Sequence, residues 1–257
     1  GKKLLLSTDV TQIEMAEAMR QQFVANVSHE IKTPLTVILG LIETLKTLDL
    51  SEEEQMRMLA MLEDHSNRMH SLVVDLLTLS KIEGTPLPNP QDQFDLQLML
   101  NEAIEVATSF SKGLFNGVSH QLKVDWKIPE RGLIFKGDRS EILSAVTNLM
   151  TNAIRYSPSG SAIEVTIFYS NEHRFGIAVK DHGIGIPSHH LPRLTERFYR
   201  VDSSRSRSTG GTGLGLAIVK HVIQRHEGTL EIQSQPGSGS TFTLLFPSER
   251  VVHGSNE

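Results

Sequence analysis

The chain has 257 residues, 39% of them hydrophobic, with a net charge of −5 and a pI near 6.1. That size admits one or two domains with a real core, and the acidic balance gives no electrostatic footprint for nucleic acid. Cysteine is absent, which excludes a disulfide framework, a thiol nucleophile and a zinc–thiolate site and fits a reducing compartment.

No apolar run reaches the ~18 residues of a membrane span, and Leu4-Leu5-Leu6 is far too short. No signal peptide is visible. From Thr11 to about Lys46 the apolar positions Ile13, Ala16, Phe23, Val27, Ile31, Ile38, Leu41 and Leu45 recur at helical spacing, interrupted once by Arg20. His29 lies about 200° around that helix from Val27, so it points away from the apolar stripe. Thr33 is one turn on and shares the face of His29. Pro34 has no N–H for the Glu30 carbonyl, so a bend is expected just after the histidine. Leu48-Asp49-Leu50 reads as a turn, and Ser51-Glu52-Glu53-Glu54 as a capping box opening a second helix. That helix runs to about Ile82, with Met58, Leu62, His65, Met69, Leu72, Leu76 and Leu79 near a heptad spacing. Two antiparallel helices with one stripe each cannot bury those stripes alone. Pairing with a second copy gives a four-helix bundle, so the pattern predicts a homodimer.

Three prolines in Gly84-Thr85-Pro86-Leu87-Pro88-Asn89-Pro90 make a short, stiff connector. Beyond it, Asp95 to about Lys112 reads as a helix. Residues 121–127 and 162–169 alternate as strands, and 175–180, 229–234 and 241–246 read as three more. Asp138 to Arg155 and Leu214 to His226 are helical. This mixed order predicts one sheet with helices packed on a face, an α+β sandwich. Ser203 to Gly210 is small and polar, a pattern expected of a mobile segment.

Asn148 and Asn152 share one helix face, and their neutral carbonyl oxygens suit magnesium beside phosphate. Arg155 and Tyr156 continue that surface toward phosphate and a nucleotide. Asp181 ends a strand just before Gly183 and Gly185, glycines that let backbone approach a planar ring. A buried carboxylate there can accept from an adenine amino group. Gly211-Thr212-Gly213-Leu214-Gly215 opens a helix whose free N–H groups attract phosphate. It is not a Walker loop, because Lys-Ser or Lys-Thr does not follow the glycines. Nor is it a Rossmann fingerprint, because a Ser/Arg-rich loop precedes it instead of a strand. His189-His190 has no spacing suited to a metal. His182 sits inside a glycine turn, and His65 and His70 read as packing or surface residues.

The segments Ser28-His29-Glu30-Ile31-Lys32-Thr33-Pro34, Asn148 to Ala153, Asp181 to Gly185, Glu196-Arg197-Phe198-Tyr199-Arg200 and Gly211 to Leu216, in this order, resemble the H, N, G1, F and G2 boxes of the sensor histidine kinases of bacterial two-component systems. The likeness covers nearly the whole chain, and Leu191 to His221 looks most like the phosphate-regulon members. It implies an all-α helical hairpin making a dimeric four-helix bundle, then an α/β (α+β) sandwich ATP-binding domain shared with gyrase and Hsp90. The implied domains are 13–83 for dimerisation and phosphotransfer, 84–93 as linker and 94–248 for ATP binding. Residues 1–12, including Leu4–Leu6 and Asp9-Val10-Thr11, would be the remnant of an upstream PAS-type sensory domain, and 249–257 a tail. The chain would be the cytoplasmic portion of an inner-membrane protein.

The resemblance further implies phosphoryl transfer from Mg-ATP to His29, with Glu30 as base or orienter and Mg²⁺ at Asn152. Asp181 would select adenine. The glycines would close over the triphosphate under a lid from Ile186 to Gly211, whose Arg200 reaches the γ-phosphate. Arg197, Arg205 and Arg207 are expected as solvated lid charges. The catalytic domain would swing on the Pro-rich connector, and phosphate would pass to an aspartate of a response regulator. Thr33 would orient a water for regulator dephosphorylation. Two other readings are an ATPase or chaperone of the same fold, which needs no exposed His–Glu pair, and a pseudo-kinase scaffold, which should have lost His29, Asn152 or Asp181.

Overall fold

A computed structural model describes residues 11–114, 119–128, 132–201 and 211–253. The expectations for Leu4–Leu6, Asp9-Val10, Ser203–Gly210, Arg205 and Arg207 lie outside these residues. The chain divides into two compact units, Gly1–Val73 and Val74–Glu257.

In the first unit, helix α1 spans Thr11–Thr47 and continues across Pro34. Helix α2 spans Glu52–Gly84 and carries on into the second unit. Its start is the expected capping box. Ser51 N donates to Glu54 Oε2 at 2.9 Å, and Glu54 N reaches back to Ser51 Oγ at 3.4 Å. Val24, Leu35, Leu39, Met56 and Leu59 are exposed on these helices, an apolar surface that one copy of the hairpin leaves uncovered.

In the second unit, α3 is Leu96–Leu114, α4 is Arg139–Tyr156 and α5 is Gly215–Arg225. Strands β2 (Gln121–Trp126), β4 (Ala162–Tyr169), β5 (Phe175–Lys180), β7 (Gly239–Phe246) and β6 (Thr229–Gln235) lie side by side in that order. Only the β2–β4 pair of this sheet is parallel. The apolar faces of α3, α4 and α5 bury Met99, Ile142, Leu149, Ile218 and Val222 against Val165, Ile177 and Leu244 of the sheet, the amphipathic arrangement expected of a helix-on-sheet sandwich.

A second sheet escapes the sequence patterning. It orders β1 (Gln93–Asp95), β3 (Leu133–Lys136) and β8 (Val251–His253), antiparallel throughout. Each strand is too short to display alternation. Residues 251–253, expected in the tail, pair with 133–135.

Asp138 caps α4, its Oδ1 accepting from Ser140 N at 2.8 Å and Glu141 N at 3.1 Å. Behind this cap lies His226, fully buried. Its Nδ1 faces the Val222 carbonyl at 2.8 Å, so Nδ1 carries the proton, and Nε2 accepts from Asp138 N at 3.2 Å. Burial holds this imidazole below the usual histidine range, against the opposing pull of the Val222 carbonyl and Glu141. The folded state therefore binds fewer protons here than the unfolded one. The stability His226 supplies is whole above the unfolded pKa of about 6.5 and is lost as pH falls through the lower folded value. The urea midpoint of the native protein should drop more between about pH 7 and pH 5 than that of His226→Gln. Equal drops would clear His226 of any part in the acid sensitivity.

Arg225 ends α5 and binds several groups at once. It pairs with Glu141 at 3.0 Å, both side chains being nearly buried. Its Nη1 also donates to the carbonyls of Ile82 at 2.8 Å and Thr85 at 3.0 Å, and Nη2 donates to the Pro86 carbonyl. The last turn of α2 and the start of the proline segment are thus held to α5.

Candidate functional site

The C-terminal half of α4 presents Asn148, Asn152, Arg155 and Tyr156 on successive turns. Asn148 Nδ2 donates to the Ser144 carbonyl at 2.9 Å, which leaves Oδ1 as the outward group. A Cβ placed on Gly215 would stand 2.5 Å from Asn148 Oδ1 and 3.8 Å from Asn152 Nδ2. A Cβ on Gly211 would stand 3.0 Å from Arg155 Nη1 and 3.8 Å from the Tyr156 hydroxyl. The glycine stretch before α5 therefore lies directly on the side chains of α4, and the absent Cβ atoms are what let it do so.

Asp181 follows β5 and is 4% exposed. Its Oδ1 accepts from Gly183 N at 2.8 Å, and Ser240 at the start of β7 also hydrogen-bonds the carboxylate. Burial pushes this carboxyl above its ordinary range, while the Gly183 and Ser240 bonds oppose that shift. A carboxylate has about four acceptor positions, so capacity remains for a ligand amine. A Cβ on Gly183 would fall 2.3 Å from the Tyr156 carbonyl oxygen, which seats the Asp181 turn against the end of α4. Gly185, at φ +66°, has the Gln235 carbonyl oxygen 2.0 Å from where its Cβ would be.

The segment carrying Arg200 is tied to the same place. Phe198 N donates to the Gly213 carbonyl at 2.8 Å, with Phe198 itself at φ 64°. A non-glycine residue in the left-handed region stores strain, and here the tight crossing over Gly213 sustains it. Arg155 lies over the Phe110 ring at 5.3 Å, and its Nε is buried with no hydrogen-bond partner among the described residues. Burial holds its pKa below the usual guanidinium value; Tyr156 and Asp75 attract its charge while Arg200 repels it. The two guanidiniums are thus near enough for each to feel the other's charge.

Asp75, on α2, is missing from the sequence reading. Its carboxylate accepts from Thr212 Oγ1 at 2.6 Å, and Thr212 Oγ1 in turn accepts from Leu214 N at 3.2 Å, just before α5. Burial raises its pKa, partly offset by the Thr212 bond and by Arg155. The signal was a lone acid inside the apolar run Leu72-Val73-Val74-Asp75-Leu76-Leu77. Arg197 corrects an expectation: it is no solvated lid charge but pairs with Glu83, which His221 also faces at 3.4 Å. The His189 and His190 rings lie 4.0 Å apart, tilted by 41°, and His190 Nδ1 meets the Tyr199 hydroxyl at 2.6 Å. Among the described residues no cluster of His, Asp and Glu side chains could hold a metal.

In the first unit His29 has a side chain 79% exposed, and its Nδ1 stands 4.0 Å from Glu30 Oε1. Glu30 Oε2 accepts from Arg68 Nη2 of α2 at 2.9 Å. Thr33 Oγ1 donates to the His29 carbonyl at 3.1 Å, leaving its lone pairs outward. The sequence reading placed these α1 residues together but did not find Arg68.

Two family descriptions match the chain. Residues 19–85 match the His Kinase A (phospho-acceptor) domain, which contains His29. Residues 137–250 match the histidine kinase-, DNA gyrase B- and HSP90-like ATPase, which contains Asn148, Asp181 and Gly211–Gly215. The chain belongs to the sensor histidine kinases. Phosphate regulon sensor protein PhoR of Pseudomonas aeruginosa is 43% identical over 99% of this histidine kinase chain, which spans 56% of that relative's length. The Acinetobacter baumannii histidine kinase AdeS is similar in structure, with a TM-score of 0.61 and 25% identity over 86% of this chain and 98% of its own. ShkA, solved in complex with AMPPNP, shares the fold with a TM-score of 0.59 at 22% identity, over 91% of this chain and 47% of its own. Among the described residues no helix of this kinase chain is long and apolar enough to cross a membrane.

Proposed function

We propose that the chain is a catalytic core that uses Mg-ATP to phosphorylate His29 and then passes the phosphoryl group to an aspartate of a response regulator. The observation that carries this is the convergence of Asn148, Asn152, Asp181 and Gly211–Gly215 on one end of α4, in a protein whose other unit exposes His29 beside Glu30. We assign residues 13–83 to dimerisation and phosphotransfer, 84–93 to the linker and 94–248 to ATP binding.

In this reading Asp181 accepts from the adenine amino group, and Gly183 and Gly185 hold the turn that carries it close against Tyr156 and Gln235. Tyr156 lies along the nucleotide. Arg155, Arg200 and the backbone of Gly211, Thr212, Gly213, Leu214 and Gly215 meet the phosphates. Asn152, with Asn148 beside it, would hold Mg²⁺, which neutralises phosphate charge when bound. The imidazole Nε2 attacks the γ-phosphorus. The bond from phosphorus to the β–γ bridging oxygen breaks, its electrons leave on ADP, and the Nδ1 proton passes to Glu30. The exposed apolar stripe of α1 and α2 supports a homodimer through the hairpin. The resemblance supports a response regulator docking near His29 and an inner-membrane anchor elsewhere in the full-length protein. Labelling with γ-³²P-ATP followed by acid tests the whole reading, since phosphohistidine is acid-labile. An acid-stable label, or none, would overturn it.

A phosphatase function toward the phosphorylated regulator rests on Thr33. Its outward lone pairs can take a hydrogen bond from the attacking water. Thr33→Ala should slow regulator dephosphorylation several-fold to about tenfold, the worth of one positioning hydrogen bond of about 0.5–1.5 kcal/mol. Autophosphorylation should stay within a few-fold of native. Equal loss of both would show that the threonine shapes α1 around Pro34 instead.

A further inference from the structure

The carboxylate beside the proposed acceptor histidine has its second oxygen anchored from the other helix of the hairpin. Arg68 Nη2 donates to Glu30 Oε2 at 2.9 Å, across a separation of 38 residues. The pair is largely shielded, the Arg68 side chain being 13% exposed and that of Glu30 26%, while the neighbouring His29 is 79% exposed. Charge-assisted bonds between shielded groups fix orientation better than exposed ones. A glutamate on a helix surface otherwise turns about three side-chain bonds. With Oε2 held by Arg68, Oε1 is left on the side of His29 Nδ1, 4.0 Å away. The nearby hydroxyls do not compete for this carboxylate: Ser28 Oγ donates to the Val24 carbonyl and Thr33 Oγ1 to that of His29.

From this geometry we propose that Arg68 is a positioning residue for the phosphoryl transfer, fixing Glu30 so that it faces His29 Nδ1 and leaves Nε2 as the nucleophile. The inference rests on the reading of His29 as the phosphoacceptor. A carboxylate oxygen near Nδ1 favours the tautomer with its proton on Nδ1, whose lone pair then lies on Nε2. Closing the last ångström or so to hydrogen-bond distance lets Oε1 take the Nδ1 proton as the Nε2–phosphorus bond forms and ADP departs. Without Arg68 the carboxylate swings into solvent, and the ring loses its directed acceptor. The step involves no new reactant; Arg68 itself exchanges no proton.

The purely structural alternative is an ion pair that zips α1 to α2. Arg68→Met keeps the apolar stem and removes the charge. Circular dichroism and sedimentation establish that the variant is folded with an unchanged association state. Its autophosphorylation kcat should then fall about tenfold or more with KM for ATP within twofold, because the nucleotide residues belong to the other unit. Arg68→Lys should recover part of kcat. If Arg68→Met does not fold, Arg68→Lys and Arg68→Gln provide the same comparison. Nitrogen-15 NMR of the His29 ring should show Nδ1 protonation in the native protein, shifting toward Nε2 protonation in the Met variant. An unchanged kcat, a loss confined to KM, or an unchanged tautomer would overturn the role of Arg68. The NMR measurement needs no kinase activity. A native protein that forms no acid-labile phosphate on His29 would thus sink the phosphoacceptor reading, while the tautomer comparison would still decide what Arg68 does.

Discussion

Asp181→Asn should weaken ATP binding by about 10- to 150-fold while the fold survives. The carboxylate is 4% exposed and already braced by Gly183 and Ser240, so the substituted amide keeps the shape of the turn. What changes is the acceptor. An amide can present an N–H toward the adenine amine, and losing one bond to a charged acceptor in a dry pocket costs about 1.5–3 kcal/mol. Calorimetric titration with ATP reads this directly, and an unchanged affinity would remove Asp181 from adenine recognition. The pH dependence has a definite sign. Burial raises the Asp181 pKa, so the ionised acceptor is lost as pH falls through a value higher than that of an ordinary aspartate. Nucleotide affinity should therefore fade with acidification sooner than global unfolding accounts for.

His29→Ala should remove all autophosphorylation and leave ATP affinity within about twofold of native. The Ser28 and Thr33 hydroxyls beside His29 donate to carbonyls of their own helix, which cannot take up a proton as a general base, so neither replaces it as nucleophile. The nucleotide residues lie in the other compact unit, so removing an exposed imidazole from α1 leaves them untouched. A persistent acid-labile label in this variant would move the phosphosite to another histidine. Loss of ATP binding along with phosphorylation would mean that the substitution had damaged the fold.

Long amphipathic segments and glycine-rich turns were the legible parts of this chain. The periods of α1, α2 and α4 and the alternation of β2 and β4 exceed a turn or two, so their apolar faces show plainly. The capping box at Ser51 is local chemistry and needs no tertiary information. The convergence of Asn148, Asp181 and Gly211–Gly215 was legible only through a family likeness, because nothing in residue spacing alone brings three distant segments together. The second sheet was not legible: β1, β3 and β8 are three or four residues each, and β8 pairs with a strand more than a hundred residues earlier. Arg68, Asp75 and Arg225 escaped for a related reason. Each is a charged residue at a helical position where a solvated side chain is the ordinary expectation, and only tertiary contact distinguishes it. The pairing of Arg197 with Glu83 overturned the expectation of a solvated charge in the same way.

The hold of Arg225 on the end of α2 bears on how such a protein can be recombined. Its guanidinium grips main-chain oxygens of residues 82, 85 and 86, which every amino acid possesses, while Glu141 fixes the guanidinium from behind. The residues of the proline segment other than Thr85, whose hydroxyl also accepts from the guanidinium at 3.2 Å, can therefore drift in identity as long as the path of the chain is kept. A hybrid sensor joined at Gly84 would ask a foreign helix end to thread into a grip shaped for this one. A seam placed ahead of Val74 would transplant the helix end, the grip and the Asp75–Thr212 bond as a single piece.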